Sequence, residues 1–325
     1  MPRQRNGALL STHLKINNEH MKRMIYAAGT TLAALLFCMP LGAQNETAEK
    51  EFSTFTSLEV GGYFQLNLVI SDEYKVEWTT DKKIIDYVDI YCRNKVLHMG
   101  MSDEGLSYIK RNYKSGSAPA LTATVYVPTL NSISLSDNAI LDFTGATLEV
   151  DGLSVRADGR SAIHDFTVIS DAGTVSLSVA KYGEINASVV SDVTEVVSEQ
   201  SGVINLTQDS RALTCTSSGS STISVSGDAE RVVCNTKGTS TVTLGGAAIS
   251  LEGTINGGST LDASGCELDK AMVTMNGGVA AVNPAMELII DIKAGAELTY
   301  GKDPVVDIVG VNKSTIKRYE NPTAE

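Results

Sequence analysis

The chain has 325 residues, 42% of them hydrophobic and 20% charged, with 7 Pro and 28 Gly, enough apolar material for a core and too little bias for a disordered or collagen-like chain. Aromatic residues make up only 6%, with one Trp, while Gly, Ser, Thr and Val are plentiful, which favours thin β layers over a helical bundle. A formal charge of −12 argues against a nucleic-acid partner, whose phosphates it would repel.

The chain opens on targeting information. Lys22 and Arg23 precede an apolar run from Met24 to Met39, and Pro40-Leu41-Gly42-Ala43-Gln44 supplies small residues for cleavage. This is the basic, apolar and cleavage-site order of an export signal, expected over residues 1–43 with Met21 as a candidate true start. Cys38 follows Phe37, where a lipid-anchor site wants a small residue, so ordinary cleavage near Ala43 is expected. The run is too short to span a bilayer, and no later stretch reaches ~20 apolar residues, so no membrane span is expected in the mature chain. Without residues 1–43, 21 basic and 37 acidic residues remain, a net of −16.

Residues 52–127 read as a strand-rich capping segment. Apolar side chains alternate with period two at Leu58 and Val60, from Phe64 to Ile70, at Tyr74, Val76 and Trp78, at Leu97, Met99 and Met101, and from Leu121 to Val127. Gly61-Gly62 suits a two-residue hairpin turn. Ile84, Ile85 and Val88 suggest a short helical turn, and residues 102–119, polar and without alternation, suggest a loop.

From 128 to 320 the signal is repetition. Ala139-Ile140-Leu141-Asp142-Phe143 returns 23 residues later as Ala162-Ile163-His164-Asp165-Phe166. A turn glycine recurs at Gly159, Gly183, Gly202, Gly219, Gly238, Gly257, Gly277 and Gly295, at spacings of 17 to 24. Six residues before these glycines stand Leu153, Leu177, Val196, Leu213, Val232, Leu251, Ala271 and Ile289; four before stand mostly small or apolar residues, including Cys215 and Cys234. After each corner a second apolar pair follows, such as Ile185 and Ala187 or Ile204 and Leu206. Side chains two apart in a strand point the same way, so these columns can fill one narrow lumen. The fold class is therefore all-β: a single-stranded parallel β-helix with ~19-residue rungs, expected right-handed, about ten rungs and roughly 50 Å long at ~4.8 Å per rung. The N-terminal strands are expected to cover one open end, and Lys317-Arg318-Tyr319-Glu320 to blunt the other.

Phe55-Thr56-Ser57-Leu58-Glu59-Val60, the phrase Val125-Tyr126-Val127-Pro128-Thr129-Leu130-Asn131-Ser132-Ile133, and the Gly-x-Ile-Asn form at Gly183-Glu184-Ile185-Asn186 and Gly202-Val203-Ile204-Asn205 resemble the putative auto-transporter adhesin, head GIN domain family of exported Bacteroidetes proteins. The resemblance spans about residues 52 to 318 and implies a β-helical exported protein of the adhesin type. Ser136-Asp137-Asn138 departs from it where a Ser-Gly corner is expected. Self-translocation through a C-terminal membrane barrel finds no support in the strand pattern.

Chemical groups are sparse. His98 alternates with Leu97 and Met99 and reads as an outward strand residue. His164 beside Asp165 could serve acid–base work, but no nucleophile-elbow motif accompanies it. Asp142 and Asp165 are expected in one column of adjacent rungs, where two carboxylates would raise one pKa or hold a cation; solvated corner aspartates are the plainer reading. Cys215 and Cys234 are expected in one inward column, as free buried side chains, a disulfide, or a metal site. Asn256 and Asn276, each before a Gly-Gly pair, are expected to stack as an amide ladder. No catalytic, cofactor or metal residue is assigned.

Three functions fit: a noncatalytic exported binding or scaffold protein contacting a glycan or protein surface through polar strand faces; a polysaccharide lyase or hydrolase; or a self-assembling structural rod. An enzyme of the second kind should gather cations and aromatic platforms on one face, whereas Arg156, Lys181, Arg211, Arg231 and Lys237 fall at unrelated offsets. The noncatalytic adhesin-like reading is preferred, at the periplasm, the cell surface or beyond it.

Overall fold

The computed structural model describes residues 45–113, 121–143, 145 and 147–319. The expected export signal, Cys38 and Glu320 lie outside the described residues. Chain order begins with β1 (Asn45–Glu51), β2 (Ser57–Val60), β3 (Phe64–Ile70), β4 (Lys75–Asp81), a short 3₁₀ turn (Ile85–Tyr87), β5 (Val88–Arg93), β6 (Val96–Met101), helix α1 (Asp103–Asn112) and β7 (Leu121–Val127). Short strands β8 (Ser132–Leu135), β9 (Ile140–Asp142), β10 (Leu148–Glu149) and β11 (Leu153–Ala157) follow. Long, bent strands then make whole rungs: β12 (Ala162–Val179), β13 (Glu184–Ser198), β14 (Val203–Gly219), β15 (Thr222–Gly238), β16 (Thr241–Gly257), β17 (Thr260–Asn276) and β18 (Val279–Lys293). The last rung is β19 (Glu297–Tyr300), β20 (Val305–Asn312) and β21 (Thr315–Arg318). All 21 strands join one sheet, coiled into a parallel solenoid of about 10 turns.

The stacked columns are those the repeat implies. Ile185, Ile204, Ile223, Val242, Leu261, Ala280 and Leu298 pair in succession and are buried. On the other side of the lumen Leu213, Val232, Leu251 and Ala271 form one buried column, and Cys215, Cys234, Gly253 and Val273 the next. The lumen is filled by size: Phe55, Phe64, Phe143 and Phe166 are fully buried towards the N-terminal end, and smaller side chains fill later rungs. Each rung lacks a core of its own, so burial exists only between neighbours.

The corner column corrects the glycine alignment. Leu177 pairs with Val155 and Val196, two positions from the column that Leu213 heads. The reason is that the left-handed corner residues of those rungs are Lys181 (φ 60°) and Gln200 (φ 62°), not Gly183 and Gly202. These two glycines sit two residues later, where the wall is close. A Cβ on Gly183 would lie 2.3 Å from the Ala157 carbonyl oxygen, and one on Gly202 2.4 Å from a Val179 methyl. Asp137 (φ 61°) is the corner residue of its own rung, so the departure at Ser136-Asp137-Asn138 still supplies the required backbone, which Asp tolerates better than most residues.

Three local expectations fail. Gly61-Gly62 is not a hairpin turn: β2 pairs in parallel with β6 and β8, and β3 with β7 and β9, so the glycines form another solenoid corner. Residues 103–112, expected as loop, form α1. The Ser102 side chain accepts from the Gly105 amide, acidic residues open the helix and Lys110-Arg111 close it, so its ends are stabilised, and its inner face is the narrow one of Gly105, Leu106 and Ile109. Gly105 lets the helix pack against Tyr87, whose Cβ a Gly105 side chain would meet at 2.5 Å. Finally, Lys317 and Arg318 do not blunt the far end, because β20 in the same rung exposes Val305, Ile308, Val309 and Val311.

Candidate functional site

Outward side chains on successive rungs must stack as regularly as the lumen does, because one register governs both faces of a strand. One outward row runs Asn67, Asp142 and His164 and, beyond the register shift after Ile163, continues as Asn186, Asn205, Ser224 and Thr243. A second, around a bend in the strands, runs Thr167, Ser188, Thr207 and Ser226. Between them lies an open groove of about 450 Å³ floored by Phe166, Ala187, Leu206 and Val225.

Hydrogen bonds between rungs hold the rims. Asn205 donates through Nδ2 to Asn186 Oδ1 at 2.7 Å, and Asn186 donates to Glu184 Oε1 at 2.9 Å. The Thr207 and Ser226 hydroxyls lie 3.3 Å apart. Each amide or hydroxyl in such a row uses only part of its capacity, leaving donors and acceptors turned outward at rung spacing. The 19-residue interval between Asn186 and Asn205 was visible as a repeated Gly-x-Ile-Asn form, but nothing in the sequence marked the bend that makes the strand face concave.

At the N-terminal end of the groove stand Asp142, His164 and Asp165. Asp142 and Asp165 are not stacked: Asp142 pairs with His164, and His164 Nδ1 lies 3.0 Å from Asp142 Oδ1. Asp165 (φ 52°) is a bulge residue between Ile163 and Phe166, which shifts the register by one and brings Phe166 edge-on to Phe143 at 5.1 Å. The 23-residue identity in sequence conceals a 22-residue pairing, so the expected carboxylate pair does not form. His164 pairs with Asp142 on one side, and on the other the register breaks between Ile163 and Phe166, so no residue of β13 stands in register with it. Among the described residues, no group of three or more His, Cys, Asp and Glu is placed to hold a metal ion.

Four of the dispersed cations make ion pairs within the chain. Arg211 makes a two-pronged contact with Asp192 at 2.8 and 3.0 Å, and Arg231 reaches Glu252 at 3.1 Å, each across rungs. Arg156 and Lys181 converge on Asp158 at 3.3 and 3.0 Å. Lys181 foremost, with the Gly159 amide and Arg156, holds the Asp158 carboxyl below its usual range against a partial burial cost.

His98 points outward as expected, with Nδ1 3.0 Å from Glu59 and its ring stacked on Tyr91 at 4.9 Å. Those residues line a second, smaller concavity of about 350 Å³ with Asp89, Ser134 and Ser136, which the alternation pattern alone did not reveal. Cys215 and Cys234 share an inward column and are free thiols, as are Cys92 and Cys266. The neighbouring Cys215 thiol and burial push Cys234 well above its usual pKa, and burial first, then Asp228, pushes Cys266 up to about 11. Asn256 and Asn276 are in register, while the amide contact shown is that of Asn186 with Asn205.

A single-chain parallel β-solenoid whose outer strand faces carry ordered polar rows is the class that fold and surface define. The chain belongs to the putative auto-transporter adhesin, head GIN domain family, which it matches over residues 54–208 and again over 189–304. No curated protein matches it. Among solved structures it is similar to a putative adhesin from Parabacteroides distasonis ATCC 8503, at 16% identity and TM-score 0.48, covering 85% of this chain and 98% of that one. It is also similar to a putative adhesin from Parabacteroides merdae ATCC 43184, at 17% identity and TM-score 0.44, covering 85% and 96%. A putative lipid binding protein from Parabacteroides distasonis ATCC 8503 shows 15% identity and TM-score 0.45, covering 85% and 97%. Among the described residues no helix is long and apolar enough to cross a membrane.

Proposed function

We propose that this chain is an exported, noncatalytic, adhesin-like protein of the bacterial cell envelope that holds an extended glycan along the solenoid axis. The observation that carries this reading is the groove between the Asn186-Asn205-Ser224 row and the Thr167-Ser188-Thr207-Ser226 row. Its rims offer uncharged amides and hydroxyls at every rung, the groups that exchange hydrogen bonds with sugar hydroxyls without discriminating sharply among them. Each contact adds little, about 0.5–1.5 kcal/mol net, so affinity would come from many rungs engaged at once. Its floor is aliphatic apart from Phe166. Chemistry on the bound chain is not part of the reading, because the row partner of His164 is the Asp142 carboxylate and the hydroxyls of the row, Ser224 and Thr243, lie on rungs beyond Asn186 and Asn205.

The test is a glycan array probed with the mature chain, then titration of any hit. Replacing Asn205 by Ala together with Thr207 by Val should weaken binding about tenfold, as expected for losing one or two such bonds. Arg231→Ala, elsewhere on the surface, should leave it unchanged. Undiminished binding by the double variant, or shortening of the glycan during incubation, would overturn the reading.

A further inference from the structure

The terminal rung is built as though another strand belonged on it. β20 pairs with β18 along one edge, and among the described residues its other edge is the outer boundary of the sheet. Its lumen-side face is apolar throughout, and Val305 and Val309 add apolar surface outside it. Val306, Ile308 and Val311 follow Leu288, Ile290 and Ile292, which are buried in the preceding rung, so they continue the lumen. Yet Ile308 is 54% exposed and Val311 46%. Val305 at 75% and Val309 at 69% add apolar surface beside them. Solenoids ordinarily end in polar caps, whereas here a lumen-facing apolar row is left half exposed at the end of the stack. Native edges are usually blunted by charge, Pro or a bulge; β20 has Asp307 and a bulge at Val309, yet Val305, Val306, Ile308 and Val311 around them are all apolar.

We propose that this rung is an interface with a second copy of the chain, β20 pairing antiparallel with the other copy's β20 about a two-fold axis. The charges favour that arrangement. Asp307 lies in the first half of the apolar stretch and Lys313 just past its end, while Asp303 ahead of it is already paired with Arg318 at 3.2 Å, so antiparallel pairing brings the Asp307 half of one strand towards the Lys313 end of the other, twice. Parallel pairing would set like charges together. Head-to-tail stacking is disfavoured by the opposite end of the rod, where the outer strand β1 reads Asn-Glu-Thr-Ala-Glu-Lys-Glu and is exposed almost throughout. Laying Val305, Ile308 and Val309 on that strand would strip water from Glu46, Glu49 and Glu51 without pairing them. A two-fold contact closes on itself and stops at two copies, and it would join two grooves in one particle, so that a long ligand could engage both.

The experiment is sedimentation and light scattering of the mature chain over a range of concentrations, for the natural sequence and for Val309→Lys and Ile308→Lys. The natural chain is expected to run at twice the chain mass and both variants at once it, with unchanged far-UV circular dichroism showing that the solenoid survives. Val309→Cys, oxidised at low concentration, provides a second arm that keeps the strand apolar and should give a covalent dimer and nothing larger. A natural chain that stays monomeric at all concentrations overturns the proposal, as does a ladder of growing oligomers, which means head-to-tail stacking. Dimers that persist undiminished in both lysine variants overturn it too.

Discussion

Lys181 stands one rung on from Gly159 at the same corner, and the two share a left-handed backbone, φ 60° and 78°. A side chain in that conformation costs roughly 1–2 kcal/mol that glycine avoids. The corner column continues through Gln200 and Gly219, so residues with and without the penalty occupy one geometric position. Opposite signs follow for opposite substitutions. Gln200→Gly should raise the midpoint of thermal unfolding, with a gain of up to about 1 kcal/mol. Gly219→Ala should lower it by more, because its Cβ would lie 2.7 Å from the Gln200 Cα as well as carrying the strain. Paired melts of the two variants check this, and a stabilised Gly219→Ala would contradict the corner geometry.

Lys181 keeps its place for a second reason, its contact with Asp158. Because the Asp158 carboxyl is held below its ordinary value of 3.8, the ionised form is bound more firmly in the folded state than in the unfolded one. The stabilisation is therefore complete above the unfolded value and is lost as pH falls through the lower, folded one. Asp158→Asn should be less stable than the natural chain at pH 7, by a margin that stays level down to about pH 5 and closes below about pH 4. Salt should narrow the margin, since the Lys181 side chain is more than half exposed. Melts in matched buffers from pH 7 to pH 2.5 measure it; a margin that widens on acidification would show that Asp158 acts otherwise.

What the sequence discloses and what it hides have a common cause. Lumen columns were legible because burial forces every rung to place an apolar residue at the same depth, and Ile185, Ile204 and Ile223 are that constraint written out. Corner residues were less legible, since a left-handed position accepts Lys181, Gln200 and Asp137 at modest cost while glycine also serves close packing, as at Gly183 and Gly202. The carboxylate pair was misjudged because the one-residue bulge at Asp165 leaves no mark in a sequence alignment of the two pentapeptides. Helix α1 escaped an alternation test because only Gly105 and Ile109 of its ten residues are buried; its capping residues, Ser102 and the charges at either end, were the available signal. The groove depends on a bend in strands that read as uniform.

The thiols offer a direct probe of the lumen. Cys215, Cys234 and Cys266 are buried, and Cys92 alone is partly accessible, its thiol 3.5 Å from the Thr54 carbonyl oxygen. With Cys266 at about 11 and Cys234 also raised, both remain protonated at neutral pH, and the thiolate is the reactive form. Brief alkylation of the native chain at pH 7.5 should therefore modify Cys92 first, and the other three only with added denaturant. Mass mapping of the labelled peptides distinguishes this from any disulfide between Cys215 and Cys234, which would withhold both from the reagent even after unfolding without reductant.

Removing one lumen side chain should be felt beyond its own rung. Leu213 is buried between Thr194 and Val232, so Leu213→Ala leaves a void that neither neighbouring rung can fill without moving. Large-to-small changes of this kind cost about 2–5 kcal/mol. In a stack where each rung is stabilised through its neighbours, the loss is transmitted to adjacent copies and fades with distance. Hydrogen exchange should accordingly quicken in β13, β14 and β15 and remain near its natural rate in β18. Cys215→Ala, which deletes a single heavy atom from the adjoining column, should produce the same pattern at a smaller amplitude. Uniform acceleration along the whole chain would mean that the solenoid opens only as one unit and that the neighbour-by-neighbour account of its stability is wrong.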